Sequence, residues 1–259
     1  MITTSNTANL PGWLDLGSPD QAASAEFYRK VFGWDSMSVD DPAGNGYLML
    51  SKDGQPVGGL GSMQDSNGTP EWTVYVRVPQ LDAAISACES LGGSVRVPPM
   101  EVGGQGSLAQ LTDPTGAEFA LWQPDGFAGF GRACEDDSLL WIELYTRDPA
   151  AAKRFYGELF SWQTDAFSMP EGTYDMWTTE PGVSTESFGG MMQIIDDLPI
   201  QNELWVPYFM VSDTDATVAR AVEAGGTVLM PATDAPPGRL AALTDQFGAH
   251  FNLLKPAPM

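Results

Sequence analysis

The sequence predicts an α+β fold built from four βαβββ modules arranged in two pairs. The first observation is a repeat: the stretch Trp141–Trp162 matches the stretch Trp13–Trp34 at an offset of 128 residues. The second is that each stretch alternates apolar and polar residues as a half-buried strand does, and then spaces its apolar residues as a helix does. The third is length, because 259 residues suit two domains of about 130 residues each.

The first module begins with a predicted strand at Trp13–Ser18. Asp20 is expected to cap a helix from Gln21 to Phe32, and Gly33 is expected to end it, because an acidic N-cap and a C-terminal glycine are common helix boundaries. Two short strands at 47–51 and 57–63, separated by an Asp-Gly turn, complete the part of the module that the pattern resolves.

The same order of elements is predicted three more times. In each case a strand precedes a helix, and Gly-Gly ends the second and fourth helices. The predicted elements are strand 73–78, helix 81–91 and strands 94–97, 106–112 and 117–123 in the second module; strand 139–146, helix 149–160 and strands 174–179 and 188–194 in the third; and strand 205–211, helix 215–224 and a last strand within 243–254 in the fourth.

The module pairs define the predicted domains. The first spans residues 10–124, the linker 125–137 and the second domain 138–257. The linker mixes proline, glycine and acidic residues without apolar periodicity. Because the four modules are similar, the sequence leaves open which of them pair with which.

Charge and composition exclude several functional classes. The chain has 34 acidic and 12 basic residues and a net charge of −22, so we expect neither nucleic acid nor an anionic membrane as partner. No apolar run is long enough for a transmembrane helix, and the N-terminal residues lack a signal-peptide pattern. Cys88 and Cys134 do not form a C-x-x-C pair. We therefore expect a cytoplasmic protein with reduced thiols.

Three motifs resemble one known family. They are the helix signature FYxxxFxW at Phe27–Trp34 and Phe155–Trp162, the Gly-Gly helix stop, and the Asp-Pro-Thr-Gly turn before the strand at 117–123. In this order and repeated, they resemble the vicinal oxygen chelate superfamily, which includes glyoxalase I, bleomycin-resistance proteins and extradiol dioxygenases. The resemblance implies that paired modules form cupped mixed sheets. It does not specify a function, because this fold hosts isomerases, dioxygenases, transferases and drug-binding proteins.

The resemblance also implies a divalent metal in the cup, with ligands on the first and last strands of each module. In this sequence those places hold residues that are poor metal ligands, namely Trp13, Thr73, Ala120, Trp141, Val206 and Asn252. Asp15 and Glu143 could each supply one carboxylate. His250 is the chain's one histidine, so a two-histidine-one-carboxylate site is impossible. We therefore predict neither a metal nor another cofactor.

Strand alternation instead directs aromatic residues and methionines into the cups, with a few polar anchors among them. The predicted ligand-binding residues are Trp13, Asp15, Tyr75, Arg77, Trp122, Trp141, Tyr145, Tyr208, Met210 and Asn252. Further aromatic and methionine side chains are expected beside them, namely Tyr47, Met49, Tyr174 and Met176. Such a lining suits a planar, mostly apolar ligand. The alternative is that these rings fill a closed core.

Two functional hypotheses follow. The first is a metal-free protein that binds an aromatic or polycyclic small molecule, for resistance, for sequestration or as an accessory in secondary metabolism. The second is an enzyme of hydroxylase, dioxygenase, lyase or isomerase type, either metal-free with Glu143 or His250 as acid or base, or metal-dependent through ligands at other positions than those aligned above. The sequence leaves open whether the protein is a monomer or a homodimer. The glycine-rich stretches 58–61 and 189–190 are expected to serve close packing within the sheets.

Overall fold

The structure is a computed structural model that describes residues 1–39, 46–63, 68–169, 172–180, 182, 186–196 and 198–258. These residues form four βαβββ modules. The first contains β1 (Pro11–Ser18), α1 (Gln21–Phe32), β2 (Asp35–Ser38), β3 (Leu48–Lys52) and β4 (Gln55–Ser62); the second contains β5 (Trp72–Arg77), α2 (Leu81–Ser90), β6 (Ser94–Glu101), β7 (Gly106–Thr112) and β8 (Glu118–Pro124).

The third and fourth modules repeat this order. The third contains β9 (Ser138–Thr146), α3 (Pro149–Phe160), β10 (Gln163–Met169), β11 (Gly172–Thr178) and β12 (Gly189–Gln193). The fourth contains β13 (Leu204–Met210), α4 (Thr214–Glu223), β14 (Thr227–Ala235), β15 (Gly238–Thr244) and β16 (His250–Pro256). The predicted α+β class is confirmed.

The helix boundaries follow from capping. Asp20 accepts a hydrogen bond from the backbone N–H of Ala23, and Gly33 ends α1 with a left-handed φ of 70°. Both predictions are confirmed. Asp148 caps α3 in the same way, but Ser161 takes the left-handed position there, with a φ of 62°.

Four strands lack a counterpart among the strands located from the sequence. Strand β2 is exposed along its whole length, so it shows no apolar alternation. Strand β10 lies, like β2, at the edge of its sheet. The β14–β15 pair contains two register shifts, which break the two-residue period of β14. A strand pattern is weak wherever the strand is not buried evenly on one face.

Two eight-stranded mixed sheets result. Their orders are β2-β3-β4-β1-β5-β8-β7-β6 and β10-β11-β12-β9-β13-β16-β15-β14. The first and last strands of each module pair in parallel, as in β1 with β4 and β9 with β12, while the hairpin strands pair antiparallel.

The chain also divides into two compact units. Unit 1 contains residues 1–12, 74–129 and 141–206, and unit 2 contains residues 13–73, 130–140 and 207–259. Unit 1 therefore combines the second and third modules, and unit 2 the first and fourth. The predicted domains, residues 10–124 and 138–257, instead combine modules that are consecutive in the chain, and these limits stay a prediction.

Each unit has a core in which a helix of one module meets the turn of another. In unit 2, Tyr28 of α1 accepts a hydrogen bond from the Trp72 indole at 3.2 Å and donates one to Asp245 at 3.3 Å. In unit 1, Tyr156 of α3 accepts from Trp205 at 3.0 Å and donates to Asp113 at 2.9 Å. Aromatic rings pack around both tyrosines. The FYxxxFxW signature thus supplies both ring packing and a hydrogen bond between modules.

Candidate functional site

A tryptophan, a tyrosine and a carboxylate form a hydrogen-bonded set in unit 2, which we call the first trio. The Trp13 indole donates to the Tyr47 hydroxyl at 2.9 Å, and that hydroxyl donates to Asp15 Oδ2 at 3.4 Å. Trp13 and Asp15 lie two residues apart on β1, so they share one face of the strand. The sequence had placed both residues in the candidate site.

Unit 1 contains the same arrangement, which we call the second trio. The Trp141 indole donates to the Tyr174 hydroxyl at 3.1 Å, and Tyr174 is hydrogen-bonded to Glu143. Glu143 has only 1% of its surface exposed, whereas Asp15 is half-buried. The second trio therefore holds its carboxylate away from solvent, beside a phenol that can donate to it.

Glycines make room for both tyrosine hydroxyls. Gly59 lies beside Asp15 in the β1–β4 register, and Gly190 lies beside Glu143 in the β9–β12 register. A Cβ atom added at Gly59 would lie 1.8 Å from the Tyr47 hydroxyl oxygen, and one at Gly190 would lie 1.8 Å from that of Tyr174. The expectation that these glycines serve close packing is confirmed.

Burial and charge keep the second-trio phenol protonated. Burial raises the pKa of Tyr174 well above its usual value near 10, and the neighbouring Glu143 carboxylate raises it further. Tyr174 is therefore a neutral hydrogen-bond donor at physiological pH. Because the one phenol hydrogen is donated to Glu143, a ligand that reaches this pair meets an acceptor, the carboxylate, and would have to supply the donor.

The second trio shares one face of its sheet with further apolar side chains, of which Phe167 is exposed, whereas Tyr145 is 8% exposed and belongs to a buried hydrophobic cluster against which Met192 packs. Phe167 of β10 lies opposite Tyr174 of β11, and Met192 of β12 lies opposite Tyr145 of β9, so each pair shares one face of the sheet. Phe167 is 43% exposed. We call this surface the aromatic face, and its members are Trp141, Glu143, Tyr145, Phe167, Tyr174, Met176 and Met192.

Sequence reasoning found part of the aromatic face. Trp141, Glu143 and Tyr145 were candidates because they alternate along one predicted strand. Phe167 and Met192 were missed. Phe167 lies on the edge strand that the pattern did not reveal, and Met192 follows the two strand glycines, which were treated as a packing feature.

Three other candidates lie in unit 1, away from solvent. Tyr75 and Trp122 are 3% and 6% exposed, and the Trp122 indole donates to the Phe127 carbonyl at 3.0 Å. Arg77 is 1% exposed and donates to backbone carbonyls, the nearest being that of Ala128 at 3.0 Å. Burial lowers the pKa of Arg77 to about 10. These contacts tie the Arg77 guanidinium to the backbone around it.

Unit 2 holds the remaining candidates on β13 and β16. Tyr208 pairs with Asn252 in the parallel register of these strands, and Met210 pairs with Leu254. His250 is half-buried, burial lowers its pKa, and its Nδ1 has no hydrogen-bond partner among the described residues. Glu143 belongs to unit 1 and His250 to unit 2, and the role predicted for either residue as acid or base stays a prediction.

The donor set does not fit a metal ion. Tryptophan occupies the first-strand ligand place in both trios, and alanine or asparagine the last-strand place. Within the described ranges, no group of three or more His, Cys, Asp and Glu side chains is placed to hold an ion. Sites for transition metals and zinc draw on several such donors at once. The residues at these places therefore do not support a metal-assisted reaction step.

Four βαβββ modules in two mixed sheets define a tandem vicinal oxygen chelate protein. The chain belongs to the glyoxalase-like domain family, which matches it over residues 13–122 and 141–254. The predicted resemblance is confirmed.

Relatives cover nearly the whole chain. DnrV of Streptomyces peucetius, an anthracycline biosynthesis protein, is 36% identical over 261 residues, which span 95% of this chain and 92% of DnrV. CFP32 of Mycobacterium tuberculosis is 35% identical over 255 residues, which span 96% of this chain and 95% of CFP32.

Solved structures share the fold. The 2,3-dioxygenase LapB from Pseudomonas sp. KL28 has a TM-score of 0.65 at 14% identity, covering 98% of this chain and 94% of LapB. The Mn(II)-bound glyoxalase from Novosphingobium aromaticivorans also has a TM-score of 0.65 at 14% identity, covering 96% and 88% of the two chains. None of the helices in the described residues is long and apolar enough to span a membrane.

Proposed function

We propose that this protein binds a planar aromatic or polycyclic small molecule on its aromatic face, through side chains alone and without a metal ion. The observation that carries the proposal is the second trio, in which half-buried Trp141 and Tyr174 flank a buried Glu143. Tryptophan offers a large flat surface for stacking, and methionines beside it adapt to an irregular outline. The carboxylate would orient a ligand hydroxyl, which supplies the donor.

The relatives support this class of ligand. DnrV and DauV are anthracycline biosynthesis proteins, and an anthracycline contains a planar fused-ring system with hydroxyl and carbonyl groups. A protein of this kind would serve resistance, sequestration or an accessory step in secondary metabolism.

Equilibrium dialysis with quinizarin, a planar dihydroxyanthraquinone, tests the proposal. We expect binding in the micromolar range, and a loss of about tenfold in affinity for Trp141→Ala, because aromatic anchors carry much of the energy of such sites. Tyr174→Phe should weaken binding less, since the ring remains. Val222→Ala, on the exposed face of α4, is the control and should bind as the wild type does. Absence of binding by quinizarin and related hydroxyanthraquinones at tens of micromolar would refute the proposal.

A second candidate function is catalysis on the same ligand, which the burial of Glu143 favours. A carboxylate shielded from water and hydrogen-bonded to a neutral phenol can accept a proton from an acidic C–H or O–H of a bound molecule. Mass spectrometry of ligands incubated with the protein would reveal turnover. Glu143→Gln should then abolish it, whereas Glu223→Gln, on exposed α4, should not. Turnover that survives Glu143→Gln would remove Glu143 from the reaction.

A further inference from the structure

One face of the strands β13–β16 in unit 2 is turned away from the core of that unit. The opposite face carries Phe209, Phe251 and Leu253, which are fully buried, and both phenylalanines contact the ring of Phe32 in α1. Side chains alternate along a strand, so the intervening positions lie on the other face. We call it the histidine face, and its members, which the registers of these strands place on one side, are Tyr208, Met210, Met230, Leu240, His250 and Asn252.

The larger side chains of the histidine face are partly accessible. Asn252 is 3% exposed and lies between Tyr208 on β13 and Ala242 on β15. The other five members are half-buried, namely Tyr208, Met210, Met230, Leu240 and His250. A flat molecule on this face would therefore meet an aromatic ring and adaptable methionine side chains.

The position that corresponds to His250 in the second module is occupied by a paired carboxylate. The repeat places Glu118 there, 132 residues before His250. Glu118 forms an ion pair with Arg96 at 2.9 Å. The fourth module has Leu229 in place of Arg96, since both residues follow Gly-Gly-x-Val. A leucine cannot form a hydrogen bond, so the fourth module has lost the partner that the second module provides at this position.

The two ring nitrogens of His250 differ in their surroundings. Nδ1 is buried and has no hydrogen-bond partner among the described residues, whereas Nε2 is not buried in this way. A hydrogen atom on Nδ1 would be a buried donor without an acceptor, which costs free energy. Burial lowers the pKa of His250, so the ring is neutral at physiological pH. The neutral ring therefore carries its hydrogen on Nε2, and His250 offers a single N–H donor.

We propose that the histidine face is a further binding site, which takes a small uncharged aromatic ketone, with the Nε2–H of His250 donating to the ketone oxygen and the ligand ring lying against Tyr208 and Met210. The site shares no residue with the aromatic face, so the inference goes beyond the proposed function. The two faces also differ in the polar group that they select. Glu143 accepts a hydrogen bond from a ligand hydroxyl, whereas His250 donates one to a ligand carbonyl.

Nuclear magnetic resonance tests the inference directly, because His250 is the chain's one histidine. Long-range proton–nitrogen spectra at neutral pH should show the Nε2–H tautomer. 1-Indanone, a planar aromatic ketone, should shift the His250 resonances in a saturable way, with a dissociation constant of about 1 mM or below, as expected for a ligand of this size. Indane, which lacks the oxygen, should bind about fivefold more weakly, since it cannot accept the hydrogen bond.

Two matched variants separate the hydrogen bond from the contact with the ring. His250→Phe keeps a flat ring and removes the N–H, so its preference for 1-indanone over indane should fall to about one. Glu118→Gln changes the corresponding position of the second module and should keep the wild-type preference of about fivefold. Ligand-observed titrations measure both variants.

Three results would each overturn the inference. They are an Nδ1–H tautomer, the absence of a saturable shift of the His250 resonances with 1-indanone, and a folded His250→Phe variant that keeps the wild-type preference. If His250→Phe does not fold, as judged by circular dichroism, the resonances of the wild-type histidine still decide. These results leave the proposed function in place, because quinizarin and the Trp141→Ala variant test it separately.

Discussion

Tyr28 and Tyr156 each link two modules of a compact unit through one hydroxyl. Each hydroxyl accepts from a buried indole and donates to the aspartate of a tight turn. The aspartate Oδ1 in turn accepts backbone N–H groups of its own turn, including that of Ala117 for Asp113 and that of Ala249 for Asp245. Burial raises the pKa of both tyrosines, as do the neighbouring carboxylates. Each hydroxyl therefore stays protonated and keeps its donor.

We predict that Tyr156→Phe lowers the free energy of unfolding by about 1–3 kcal/mol, because it leaves a buried indole N–H and a buried carboxylate without this partner. Tyr28→Phe should act in the same way in unit 2. Urea denaturation measures both. Met37→Leu, at a position 65% exposed, is the control and should unfold near the wild-type midpoint. Tyrosine variants that unfold at the wild-type midpoint would show that these hydroxyls do not stabilise the units.

At the level of single residues, the sequence placed the tryptophan and the carboxylate of each trio among the predicted site residues, and it placed the tyrosine only beside them, as further aromatic lining. Trp13, Asp15, Trp141 and Glu143 lie on strands whose alternation is plain. The tyrosines follow segments of unequal length, so Tyr174 repeats Tyr47 at an offset of 127 residues instead of 128. Their link to the tryptophan and carboxylate depends on sheet register, which a sequence pattern does not specify across such segments.

The position of Phe130, whose ring contacts that of Trp13, was not predicted because this residue lies in the segment 125–137, which was interpreted as a linker and has no apolar period to assign a face. Its position depends on two flanking glycines and on backbone contacts with distant residues. A single ring in an irregular segment carries no sequence signal of the surface that it covers.

The strands β1, β4, β9 and β12 act as the platform for both trios. Each parallel pair aligns a carboxylate with a glycine, and the tyrosine from the neighbouring hairpin strand reaches across that glycine. Buried strands of this kind were predicted well, because their apolar alternation is strong. Edge strands β2 and β10 were not located, because exposure removes the constraint that produces the pattern.

We predict that Gly59→Ala displaces Tyr47 and destabilises the protein by about 1–3 kcal/mol, because the new methyl group occupies the hydroxyl's place and leaves the Trp13 indole without its acceptor. Urea denaturation is the measurement. Gly61→Ala is the matched control on the same strand, since its nearest contact would be 3.9 Å away on the Tyr47 ring. It should match or exceed wild-type stability, as alanine restricts the unfolded chain more than glycine does.

Equal losses in the free energy of unfolding for Gly59→Ala and Gly61→Ala would contradict the role of Gly59 in making room for the Tyr47 hydroxyl. The corresponding change in unit 1, Gly190→Ala, would place a methyl group 1.8 Å from the Tyr174 hydroxyl oxygen. It should therefore weaken quinizarin binding as Tyr174→Phe does, while Gly61→Ala leaves binding unchanged.

For the whole molecule, the repeat predicted the number and order of the modules but not their grouping. The compact units combine the second module with the third and the first with the fourth. The bonds that hold each unit, from a helix tyrosine to a turn aspartate, are present in equivalent form in both units. Similar modules offer similar surfaces, so a single sequence cannot rank the possible pairings.

Net charge is the property of the whole chain that bears on ligand choice. With 34 acidic and 12 basic residues, the protein repels anions at long range, and a neutral ligand does not meet this repulsion. We predict that quinizarin binds more tightly than its sulfonate at low ionic strength, because the sulfonate adds a negative charge to an otherwise matched ring system. Raising the salt concentration to about 0.1 M, where the screening length is about 10 Å, should reduce the difference in affinity between the two compounds. The affinity for uncharged quinizarin should not change. Calorimetric titration of both compounds across a salt series measures the effect. If the sulfonate binds more tightly than quinizarin at low salt, a local cation, and not the net charge, governs access to the aromatic face.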